Sequence, residues 1–192
     1  MAGTCMMDGA SFRTGLALAG FGAFLLANGV AALAAPARWR RAVLAFPRAK
    51  IPAWALAAID TAWCCAIVMG AQLGRFAFLR PWVPLAGIAV FAAVVLFLDE
   101  LLAPRAWGGL LLLVAQPVLM GVRWAETPWH LLVAVLMYVC VVWGGALMLH
   151  PWLFRAAAAP QVASDGRARA FGALRVLAGA VLAGIGVWVL CG

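Results

Sequence analysis

The chain has 192 residues, of which 68% are apolar and 10% charged, against roughly half and a quarter in an ordinary soluble domain. So few polar side chains cannot cover a water-facing surface, which excludes a water-soluble enzyme, a disordered tail and a secreted disulfide scaffold. The net charge of +8 would suggest nucleic acid in a soluble chain, but the bases here lie between long apolar runs and set orientation in a membrane instead, so no nucleic-acid partner is expected.

An apolar helix of about 20 residues crosses a hydrocarbon core of ~30 Å. Six stretches qualify, and the chain is expected to be all-α, a single polytopic integral membrane bundle of six transmembrane helices. The first span, Thr14–Ala35, is followed by Arg38, Arg40 and Arg41, which are placed to meet anionic lipid headgroups. Ala32-Leu33-Ala34 has the small-residue pattern of a signal-peptidase site. The run before it is longer than an h-region and the arginines after it resist translocation, so cleavage is not expected. The second span is Pro52–Leu73 and the third Trp82–Leu102. The fourth, Ala106–Val122, is short and contains Pro117, so spans three and four are read either as separate crossings or as one membrane-dipping hairpin. The fifth is Trp129–Leu149 and the sixth Phe171–Leu190.

Punctuation supports this division. Pro81-Trp82, Pro128-Trp129 and Pro151-Trp152 repeat one device, a proline suited to a helix start beside an indole suited to the water–lipid boundary. Basic residues set the orientation. With six spans, Arg38, Arg40, Arg41, Arg48, Lys50, Arg105, Arg155, Arg167, Arg169 and Arg175 fall on one side, and Arg13, Arg75, Arg80 and Arg123 on the other. The richer side is expected to be cytoplasmic, with both termini outside. The preference for arginine over lysine and the abundance of alanine suggest a bacterial inner membrane.

The polar groups inside the spans are few, and each has to be tolerated by the bilayer. Asp60 lies ~12 Å into the second span by helix rise. Asn28, Gln116 and Tyr138 lie at similar depth on three other spans, so these four are expected to converge inside the bundle. Such a cluster is either a bonded knot that fixes packing or a proton or substrate site. Asp99, Glu100 and Arg105 form a second set at the join of spans three and four, an interfacial ion network or an ion or headgroup site. Glu126 is placed to pair with Arg123, while Arg13 and Arg175 are expected to snorkel to headgroups.

Metal and cofactor chemistry has no motif to stand on. His130 and His150 flank the fifth span ~30 Å apart and cannot share an ion within one chain. No zinc spacing, phosphate loop or dinucleotide glycine pattern occurs. Five cysteines form no disulfide framework, although Cys5 and Cys191 would share a compartment and could bridge there. Small residues four apart on the first span (Gly15, Ala19, Ala23) and on the last (Gly179, Ala180, Ala183, Gly184) suggest that these two helices pack together. Three functions stay open. They are a structural or accessory membrane component, in contact with lipid and with a copy of itself or another membrane protein; a proton-coupled or hydrophobic-solute transporter using Asp60; and a membrane enzyme acting on lipids at the cytoplasmic face. No catalytic arrangement is visible, and no metal or cofactor is expected.

Overall fold

The computed structural model describes residues 9–72, 74–97, 101–125 and 127–191. Every regular element among them is helical. In order these are α1 (Gly9–Ala34), α2 (Pro36–Ala45), a 3-10 turn (Phe46–Arg48), α3 (Lys50–Gly70), a run of 3-10 turns (Gly74–Trp82), α4 (Val83–Phe97), α5 (Leu102–Val122), α6 (Trp129–Leu149), α7 (Trp152–Val162) and α8 (Asp165–Cys191). Six helical runs are long and apolar enough to cross a membrane: Gly9–Ala34, Lys50–Gly70, Ala77–Phe97, Leu102–Val122, Trp129–Leu149 and Asp165–Cys191. Their number and type are those read from the sequence.

The edges differ in instructive ways. The fifth span is as expected, opened by Pro128 and starting at Trp129. The third begins earlier and is described as far as Phe97, while the fourth starts at Leu102, before Pro104 rather than after it. A proline in the first helical turn lacks only an N–H that had no intrahelical partner, so Pro104 extends the helix instead of delimiting it. Pro117 lies inside α5, which continues past it to Val122. The fourth run is therefore full length, and a helix separate from α4. α8 starts at Asp165, six residues before the apolar stretch, with Arg167 and Arg169 in its opening turns. Two short helices, α2 and α7, escape a hydropathy reading. α2 carries Arg38, Arg40 and Arg41, and α7 includes Pro160.

The chain forms two compact units. One comprises the chain as far as Leu44, with Val114–Val141 and Ala157 onward; the other comprises Ala45–Leu113 and Val142–Ala156. In the first unit α1 and α8 run antiparallel, and glycines face glycines. A Cβ on Gly15 would sit 3.0 Å from the Gly186 oxygen, one on Gly22 2.7 Å from the Gly179 oxygen, and one on Gly29 2.7 Å from the Gly172 oxygen. The three pairs recur every seven residues on both helices. That spacing keeps one stripe in contact along a left-handed crossing. Without side chains in the stripe the backbones themselves touch, which suits helices in lipid, where no hydrophobic force drives helix association. The core of this unit gathers Leu18, Ala115, Val122, Val133 and Met137, with Phe21, Leu182 and Ile185 packed against them.

The second unit is held at fewer and smaller points. Gly108 and Gly144 meet across α5 and α6, each placed so that a Cβ would press on the other's carbonyl oxygen, at 2.6 and 2.7 Å. Gly87 of α4 faces Cys65 of α3, whose thiol lies 3.8 Å from the Val83 oxygen. A small core of Ala53, Leu102 and Ala103 is packed by Phe46 and Val94. The Phe46 ring lies 5.2 Å from that of Phe154.

Candidate functional site

The α3 sequence puts alanines at 53 and 57 and aspartate at 60, a spacing that aligns all three on one helix face. Ala53 and Ala57 are buried, and Asp60 continues the stripe half-buried. Its Oδ2 lies against Gly109 of α5, where a Cβ would come within 2.8 Å of it. The missing side chain at 109 is what makes room for the carboxyl group. Its Oδ1 is buried with no hydrogen-bond partner. The neighbouring Thr61 hydroxyl donates to the Ala57 oxygen at 2.7 Å, one turn back, so that donor is spent on its own helix. An orphaned carboxyl oxygen in an apolar helix is costly, and a proton or a hydrogen-bond donor on it would lower that cost.

The other members of the expected cluster belong to the first unit. Asn28 is half-buried on α1, Gln116 is exposed on α5, and Tyr138 is 63% exposed on α6. No hydrogen bond among the described residues joins any two of them. The reason is helical phase. Ala115 and Met137 are 1% and 0% exposed, and the next residue along a helix is rotated by about 100°. Gln116 and Tyr138 are thereby turned out of the core that their predecessors fill. Equal depth along a span did not entail a shared interior.

Of the second set, Asp99 and Glu100 lie outside the described residues, as do Glu126 and Cys5. Arg105 is half-buried, with its Nε buried and unpartnered. The three arginines assigned to headgroups have separate fates. Arg38 is exposed. Arg41 Nε donates to the Ala37 oxygen at 3.3 Å, within its own helix. Arg40 donates from Nε to the Val162 oxygen at 2.7 Å and pairs with Asp165, tying α2 to the junction of α7 and α8. Arg175 does not snorkel outward. It donates to Gln161 and its guanidinium stacks 5.1 Å from the centre of the Trp39 ring. Arg123 lies over the Trp124 ring, and His130 Nδ1 is 2.6 Å from the Thr127 oxygen. Cys64, Cys65, Cys140 and Cys191 are free thiols.

One feature of the second unit has no counterpart in the sequence reading. A cavity of about 350 Å³ is walled by Arg48, Lys50 and Arg155, with Ala53, Leu101 and Leu102 among its apolar lining. The cations come from the 3-10 turn, the first residue of α3, and α7. A sequence scan finds runs of charge along the chain. Arg48 and Lys50 are near neighbours in the sequence, and only folding brings Arg155 to them.

No protein-family model, curated protein or solved structure matches the chain. The geometry of its own residues therefore carries the functional reading.

Proposed function

We propose that the chain is a multi-pass integral membrane protein with a structural or accessory role, acting through lipid and through helix contacts with a copy of itself or another membrane protein. The supporting observation is its inside-out packing. The closest helix contact is built from glycine, while large apolar side chains such as Leu96, Phe97, Val142 and Leu149 point outward at 74%, 84%, 73% and 75% exposure. In water that arrangement exposes far more apolar surface than a monomer tolerates; in lipid both halves of it are favourable. The excess of basic residues on one set of connections supports both termini outside a bacterial inner membrane. Cys191 is exposed and free at the end of α8, so a membrane-impermeant maleimide should label it in intact spheroplasts. Labelling only after lysis reverses the orientation.

A second reading, proton-coupled or hydrophobic-solute transport, draws on the orphaned Oδ1 of Asp60 beside Gly109. Asp60→Asn separates the two. Under the structural role the variant in liposomes keeps the wild-type unfolding midpoint and the wild-type proton permeability. Loss of a proton-linked flux with folding intact would establish transport instead.

A further inference from the structure

We propose that the cavity walled by Arg48, Lys50 and Arg155 binds a multiply charged phosphate group, a phosphomonoester or a diphosphate, carried on a lipid headgroup or free in solution. Its volume of about 350 Å³ lies at the lower end of the roughly 300–1,000 Å³ typical of small-ligand sites. That is room for a charged headgroup rather than for a large solute.

The walls supply the matching chemistry. Arg48 and Arg155 make no hydrogen bond or ion pair among the described residues, and both guanidiniums present the forked donor pattern that suits phosphate oxygens. The opening of α3 reinforces them. Ala49 and Lys50 line the cavity. Ala49, at the cap position, gives no side-chain hydrogen bond to the first turn of this 21-residue helix. The positive end of the helix dipole lies at that start and favours an anion. Pro47, Ala53, Leu101 and Leu102 add an apolar part to the lining that suits an alkyl portion.

The site is also held in shape. The stack of Phe46 on Phe154 joins the segment carrying Arg48 to the helix carrying Arg155. Leu101 has φ 58, a left-handed conformation that leucine rarely adopts. Such backbone strain persists only where surrounding contacts enforce it, and it concentrates at ligand-holding positions.

The chain offers an unusually clean probe, because Lys50 is its only lysine. Full-length protein in detergent micelles would be treated with an acetylating reagent, with and without pyrophosphate. The same measurement would be made in nanodiscs containing phosphatidic acid or phosphatidylcholine alone. Protection of Lys50 by at least about fivefold is expected from a bound anion, the change that one surface charge's interaction implies. Protection by phosphatidic acid but not pyrophosphate assigns a lipid source, and the reverse assigns a soluble one. Protection by neither overturns the proposal, and this arm needs no variant to fold. Arg48→Gln and Arg155→Gln should each weaken phosphatidic acid binding by at least about fivefold. Arg167→Gln, at an exposed position of α8 outside the cavity lining, should leave it unchanged. An equal loss with Arg167→Gln would show a diffuse charge effect and sink the proposal.

Discussion

The α1–α8 contact and the α3 contacts both rely on glycine, but different atoms limit the approach. At Gly22 and Gly186 of the α1–α8 contact the limiting atoms are backbone: a Cβ on Gly22 would meet Ala183 N at 2.4 Å, and one on Gly186 would meet Ala19 N at 2.5 Å. Around α3 they are side-chain ends, Cys65 Sγ at 2.4 Å from a Cβ on Gly87 and Asp60 Oδ2 at 2.8 Å from one on Gly109. A side chain can rotate away; a helix backbone has to move as a whole. The first contact is consequently a rigid seam, and the second an adjustable one that leaves a carboxyl group without a fixed partner.

The sharpest way to break this contrast is to fill the seam. Gly22→Leu should force α1 and α8 apart and lower stability by about 3 kcal/mol or more, at the top of the range for overpacking. A reversible unfolding titration in mixed micelles measures it. Gly184→Leu, where a Cβ would meet nothing within 4 Å, should stay within about 0.5 kcal/mol of wild type. Equal losses in the two variants would show that close backbone approach is not what glycine provides at position 22.

On the adjustable side, Gly109→Ala should lower stability by about 1 kcal/mol, because only the end of Asp60 must shift. Combined with Asp60→Ala, that loss should largely disappear in a double-mutant cycle. Strict additivity would mean that the carboxyl and Gly109 do not constrain one another. The smallest effect is expected at the partly exposed Arg40–Asp165 pair, with side-chain exposures of 30% and 52%. A cycle of Arg40→Gln and Asp165→Asn should give a coupling below about 1 kcal/mol that shrinks further in high salt. A coupling of several kcal/mol would make this tie a principal fastener of α2.

The partnership of the first and last long helices was legible in the sequence, but its register was not. Of the residues picked out by spacings of four, Gly15, Ala19, Gly179 and Ala183 lie in the contact, whereas Ala23, Ala180 and Gly184 face outward. The seam follows a spacing of seven, through Gly15, Gly22 and Gly29 against Gly172, Gly179 and Gly186. In an alanine-rich chain the four-residue pattern recurs on every face, whereas glycine repeated at seven on two helices is the narrower signal. The candidate polar cluster was less legible. Depth along a span follows from counting, but the side of the helix that faces inward depends on its neighbours, and Ala115 and Met137 took that side ahead of Gln116 and Tyr138.

Composition alone determined that the described chain is helical, with six runs long and apolar enough to cross a bilayer. Length and hydropathy are properties of a segment and need no partner. Tertiary structure decided which glycines touch, that Asp60 lies on Gly109, and that Arg48, Lys50 and Arg155 surround one cavity. Those are relations between segments far apart in the chain, fixed by how closely backbones can approach, and no local pattern encodes them.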